Sequence, residues 1–247
     1  MRKKKTTVSL TTVLLVAAFC AVYLLVRSAT ERPEKADEPT TPTVSTEEHI
    51  SLESIPPYAG EPFVALNDNV PNFSEAEQNA VGTEQYSELD PLGRCGAAFA
   101  CCGREIMPKQ GEKRGSISQI KPSGWVQAFY ENVSGKALYN RCHLIGWQLS
   151  AENDNRGNLI TGTRYLNEDG MLPFENMIAD YIKETNHHVA YRVTPIFKGK
   201  NLVASGVQME ALSVEDNGDG ICFNVYCYNV QPDIHINYKT GESSAEK

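Results

Sequence analysis

The chain has 247 residues, a formal net charge of −8, 41% hydrophobic residues and 22% charged ones. This length holds one large domain, or one domain with appendages, and excludes a long array of domains. The total charge conceals two unlike parts: residues 28–91 carry fourteen acidic and two basic side chains, whereas residues 92–247 carry seventeen acidic and sixteen basic ones. The C-terminal part shows no large excess of positive charge, yet its near-neutrality permits a polyanionic substrate.

Arg2, Lys3, Lys4 and Lys5 precede an apolar run of 19 residues from Val8 to Val26. A bilayer needs roughly 17–25 such residues, and a basic flank holds its own side in the cytoplasm. No small-residue cleavage site follows, so residues 1–27 are expected to act as an uncleaved signal anchor, with a cleaved signal peptide as the rival. Residues 28–71 are rich in Glu, Thr, Ser and Pro and poor in large apolar residues, which predicts a disordered acidic tether. The folded domain is then expected over 72–247. Ser74 with Glu77 three residues later forms a capping box, predicting a short helix over 74–81. Residues 93–103, rich in Gly, Ala and Cys, are compatible with a helix or an irregular segment. Gly and Lys121-Pro122 mark 111–125 as a loop. Trp125 to Tyr130 and Leu138 to Leu144 predict two strands split by a turn at Ser134-Gly135, and 158–163 a further one. Residues 173–185 predict the best helix: Pro173 suits its first turn, and Phe174, Met177, Ile178, Tyr181 and Ile182 share one face. Three β-rich stretches follow (HVAYRVTPIF, NLVASGVQMEAL and ICFNVYCYNV), joined through GKN and EDNGDG, which predicts an antiparallel meander. The expected fold class is α+β, with an antiparallel sheet and one central helix.

Six cysteines lie beyond the apolar run: Cys95, Cys101, Cys102, Cys142, Cys222 and Cys227. Their spacing is unlike that of a zinc site, which leaves buried thiols or one or two disulfides. Asp216 to Gly220 lacks the closing Glu of a calcium loop and predicts a hairpin turn. His187, His188 and His235 have no companions in the sequence and are expected to be structural or exposed.

The stretch NRCHLIGWQL, residues 140–149, sets His143 at the end of a predicted strand. A second strand and then the best helix follow, with Asn158, Asn167 and Glu175 spaced nine and eight apart. This compact β–β–α order can hold one metal ion against one imidazole. NRCHLIGWQL, followed by GNLITGTRYLN and LPFEN, resembles the DNA/RNA non-specific endonucleases of the ββα-metal (His-Me finger) class, whose signature is Asp-Arg-Gly-His. The flanking KRGSISQIKPSGW and YRVTPIF are most similar to exported endonucleases of Gram-positive bacteria, the pneumococcal competence type among them. The resemblance spans roughly Leu89 to Glu242. Position by position it sets Arg141 and His143 on the signature, Asn167 on the metal ligand, Asn158 on the earlier Asn and Glu175 on the helix Glu. Asn140 and Cys142 stand where the signature has Asp and Gly, and Ala179 stands where some members carry a further Arg.

The resemblance implies a metal-dependent, sequence-non-specific nuclease acting on DNA and also on RNA, with Mg²⁺ as cofactor and Mn²⁺ as substitute. His143 would be the general base, since a neutral imidazole can take a proton from water. Asn167 would ligate the hydrated ion, Glu175 would orient its waters, and Asn158 would shape the site. Arg141 and Arg114 would bind phosphate. Contacts to the phosphate backbone rather than to bases would make cleavage non-specific. The other expected partner is the membrane, through the N-terminal segment, with the domain on the extracellular face or secreted. A catalytically silent nucleic-acid-binding or uptake receptor of the same fold is the rival reading.

Overall fold

The computed structural model describes residues 52–246. The expected signal anchor over 1–27, and the tether as far as residue 51, lie outside the described residues. Among the described residues no helix is long and apolar enough to cross a membrane.

Ten strands form in chain order: β1 Phe63–Ala65, β2 Glu84–Tyr86, β3 Ala98–Cys102, β4 Tyr139–His143, β5 Leu159–Thr163, β6 Val189–Ile196, β7 Gly206–Ser213, β8 Cys222–Tyr228, β9 Ile234–Ile236 and β10 Ser243–Ala245. Among the described residues three α-helices accompany them: α1 Glu75–Gln78, α2 Trp147–Ser150 and α3 Leu172–Thr185. Six strands make one sheet in the order β1-β8-β7-β6-β3-β2. Every pairing in it is antiparallel. The expected meander is β6 to β8, in register from Val189 opposite Ser213 to Leu212 opposite Cys222. The capping box at Ser74 and Glu77 starts α1, which is shorter than expected.

Apolar periodicity places α3. Phe174, Ile178, Ala179 and Ile182 are buried in one cluster with Tyr191, Val193, Met209, Phe223 and Val225 of the sheet. Met177, which shares the sequence-predicted face, is instead exposed. The same cluster takes in Cys142, Leu144, Ile160 and Leu166, so the small β4–β5 ribbon docks on the same core. Asn229 strengthens that docking: its buried amide accepts from Thr163 N and donates to Thr161 O and Ala204 O.

Three expectations are corrected. The tether does not run to residue 71. Leu52, Ile55, Tyr58, Val64 and Leu66 pack against Tyr226 and Tyr228, and β1 extends the sheet beside β8. A few spaced apolar residues suffice to cover one sheet face, even in an acidic, Pro-rich segment. Residues 98–102 form neither helix nor irregular chain but a wholly buried strand between β2 and β6, where small Ala and Cys side chains fit a layer covered on both faces. Trp125–Tyr130 is not a strand either: it meets Ala137 in a single bridge at Phe129. The Gln127 side-chain amide replaces the missing ladder, accepting from Tyr139 N at 2.9 Å and donating to Tyr139 O at 2.7 Å.

The six described cysteines are free thiols, and all but Cys222 are buried. Asp216 to Gly220 lies in the β7–β8 connection, as expected of a hairpin turn.

Candidate active site

His143 closes β4, directly opposite Leu159 of β5. The residue is 7% exposed. Nε2 lies 2.8 Å from the Asn153 carbonyl, which can only accept, so Nε2 carries the proton. In the neutral ring Nδ1 is then a bare acceptor, and Arg114 Nη2 donates to it at 3.2 Å. Burial, opposed in part by the Asn153 bond and aided by the Arg114 charge, pushes the imidazole from 6.5 down to about 4. The resting histidine is a neutral base with its lone pair held against an arginine.

Sequence alone gave no sign of Asn153, because its contribution is a main-chain carbonyl. The sign of the linkage is fixed: between pH 6.5 and about 4 the unfolded chain binds a proton that the folded site refuses. This contribution to stability is present above 6.5 and is lost as pH falls toward 4. An NMR titration of the metal-free chain should give a His143 midpoint well below 6.5, with Nε2 protonated. Arg114→Ala should raise the midpoint by removing a facing cation. Midpoints at 6.5 in both proteins would show a solvated ring with neither restraint.

Asn158 is fully buried. Its Oδ1 accepts from Ile145 N at 2.8 Å and its Nδ2 donates to Ile145 O at 3.0 Å. The side chain therefore clamps the chain leaving β4 and does not line the cavity beside His143. That chain turns at Gly146, where a Cβ would stand 2.6 Å from Glu175 Oε2. Only glycine lets the Gly146 N–H approach the Glu175 carboxylate and donate to it. Burial drives that carboxyl up to about 7, while Arg114 and the Gly146 N–H pull it back.

Asn167 sits in an unusual piece of helix. Leu166–Met171 is π-helical and runs straight into α3, and Leu172 N–H bonds to the Asn167 carbonyl five residues back. Pro173 supplies a physical reason, since a proline ring and its missing N–H disfavour regular α-helix through this point. The half-buried Asn167 side chain has no hydrogen-bond partner among the described residues, although it lines the same cavity as His143 and Glu175. That cavity, of about 500 Å³, runs along β4 and is also bordered by Arg114, Arg141 and Arg164.

Arg141 borders the cavity with its guanidinium already engaged by the protein. It donates through Nε to Ile120 O and through Nη2 to Ser118 O, and its guanidinium stacks on Trp125 at 4.3 Å. It braces the 117–125 loop beside the cavity. Ala179 is fully buried in the core and offers no cation. Arg164, which sequence reasoning missed, borders the cavity three residues before Asn167; its Arg164–Glu168 spacing is the signal that could have drawn attention to it.

His143, Asn167, Glu175, Arg114, Arg141 and Arg164 thus border one cavity, and Asn158 does not. Residues 74–215, more than half of the chain, match the sequence model of the DNA/RNA non-specific endonucleases. The chain belongs to that family. Among solved structures it is similar to magnesium-bound NucA from Streptococcus agalactiae, at 26% identity over 74% of this chain and 86% of that one, with a TM-score of 0.65. The metal-free form of that NucA matches at 25% identity over 79% and 92%, with a TM-score of 0.67. Zinc-bound Sda1 nuclease matches at 27% identity over 66% and 82%, with a TM-score of 0.57. Membership of this family makes the chain a nuclease by descent and nucleic acid its class of substrate.

Proposed function

We propose that this protein is an exported, divalent-metal-dependent, sequence-non-specific endonuclease that hydrolyses DNA, and RNA as well. The observation that carries the reading is the orientation of His143: the Asn153 carbonyl fixes the Nε2–H tautomer and leaves Nδ1 as the base in the cavity shared with Asn167 and Glu175. The donor set fits a hydrated, oxygen-preferring ion such as Mg²⁺ or Mn²⁺: an unpartnered amide beside a carboxylate, with no cluster of three or more His, Cys, Asp or Glu among the described residues. Asn167 would hold the ion and Glu175 would accept hydrogen bonds from its waters. When bound, the ion supplies positive charge at the phosphate.

The chain's own residues do the rest. His143 Nδ1 takes a proton from water as its oxygen bonds to phosphorus. The phosphorus–O3′ bond breaks, leaving a 5′-phosphate; the departing O3′ takes a proton from solvent water to become a 3′-hydroxyl, and His143 later returns its proton to solvent. Arg114 must first leave Nδ1, and a phosphate oxygen is a stronger acceptor for it than a neutral imidazole. Export rests on the basic and apolar N-terminal sequence, and on the exported endonucleases that the chain resembles.

A supercoiled-plasmid assay tests the reading. Nicking and then linearisation are expected with Mg²⁺, and full arrest with EDTA. A chain that binds plasmid but leaves it supercoiled in Mg²⁺ and in Mn²⁺ is the silent receptor instead.

A further inference from the structure

We propose that Arg164 anchors a second phosphate of the nucleic-acid strand, displaced along β4 from the phosphate that is cut. The proposal rests on the nuclease reading for its substrate, and on separate observations for its site. Three arginines border the cavity. Arg141 is committed to the carbonyls of Ile120 and Ser118. Arg114 lies at the His143 end of β4. Arg164 lies at the opposite end, where its main-chain N–H donates to Leu138 O and its Nη2 lies 3.5 Å from where a Cβ on Gly135 would be.

Arg164 is only partly satisfied. Nη1 pairs with Glu168 at 2.9 Å, but Nε is buried without a partner. Asn140 Nδ2, on β4 and bordering the same cavity, is likewise buried and unpartnered. Buried donors are rarely left unmade. The Arg164 side chain is itself 23% exposed, so the part of its guanidinium that Glu168 leaves free can offer a phosphate planar donors.

From Leu138 to His143 the ribbon advances five residues, ~17 Å of main chain at ~3.3 Å per residue. Phosphate charges on one strand repeat every ~3.4 Å along the helix axis. With Arg114 at one end of this stretch and Arg164 at the other, the proposal gives each arginine its own phosphate. The pair would replace the helix cation that Ala179 cannot provide.

The test uses the full chain and a fluorescein-labelled single-stranded oligonucleotide, with EDTA present so that nothing is cut. Binding is followed by anisotropy over a range of salt. Arg164→Gln should weaken binding about tenfold, the scale of one charge-assisted contact. It should also reduce the slope of log K against log[salt] by ~0.7. Glu168→Gln frees the arginine and should keep the wild-type slope. With Mg²⁺ restored, the ratio of kcat/KM on the oligonucleotide to that on bis(p-nitrophenyl) phosphate should fall about tenfold in Arg164→Gln, because the small diester has no second phosphate.

An unchanged salt slope in Arg164→Gln overturns the proposal. So does an equal loss in Glu168→Gln, which would make the ion pair a brace for the turn bearing Asn167. A wild-type chain that shows the slope but never cuts would defeat the nuclease reading and leave the phosphate contact standing.

Discussion

His143→Ala is expected to lower the cleavage rate by 10²–10⁴-fold, the usual weight of a positioned general base. Three features of the site support this size of effect. Nδ1 meets Arg114, which borders the cavity, Nε2 is tied to a carbonyl, and among the described residues no second histidine borders the cavity to take over. The cost to the fold should be small by comparison. Two side-chain hydrogen bonds are lost, to the Asn153 carbonyl and from Arg114, about 1 kcal/mol net each, and the main chain of β4 keeps its ladder with β5. Oligonucleotide binding in EDTA should stay within about twofold, since the imidazole carries no charge in the resting site. Added imidazole should restore part of the rate by entering the space left behind. The decisive comparison is the rate against the melting temperature and the affinity. A variant that melts early and binds weakly in proportion to its lost rate would return His143 to the role of a core residue.

Much of this architecture was legible because periodicity reports burial. β-rich composition between the GKN and EDNGDG turns marked β6 to β8, and the 3–4 spacing of Phe174, Ile178 and Ile182 marked α3. The signal failed where side chains replace main chain. Gln127 satisfies the edge of β4 with its amide, so a segment that reads as a strand needs no strand partner. It failed again at Ala98–Cys102, where small residues suit a buried central strand as well as a helix. At the site, residue type and spacing located His143, Asn158, Asn167 and Glu175. They also assigned the ion to Asn167 and a shaping role to Asn158, but gave no sign that Asn158 clamps Ile145 or that Arg141 grips carbonyls. Those distinctions depend on the exit path of the chain from β4 and on the π-helical turn, both set by tertiary packing around Gly146 and Pro173.

The two asparagines should respond to substitution in opposite ways. Asn167→Ala removes a half-buried amide that bonds to nothing else among the described residues, so the melting temperature of the metal-free chain should barely move. If its Oδ1 is the protein's direct bond to the ion, the Mg²⁺ concentration for half-maximal cleavage should rise tenfold or more, and excess Mg²⁺ or Mn²⁺ should recover part of the rate. Mn²⁺ binding followed by EPR should weaken in parallel, without reference to cleavage. Asn158→Ala removes both hydrogen bonds to Ile145 and leaves a buried N–H and C=O unpaired. At about 1–3 kcal/mol for each unpaired group, the loss is a large share of a domain's ~5–15 kcal/mol and should lower the melting temperature by many degrees. Below that temperature the rate should still fall, because Ile145 leads into Gly146 and so sets the contact with Glu175. The metal midpoint should stay near the wild-type value. An Asn158→Ala protein that folds normally and needs far more metal, beside an Asn167→Ala protein that does not, would exchange the two roles. It would place the ion on the buried side of the ribbon, where the clamp on Ile145 leaves no amide oxygen free to receive it.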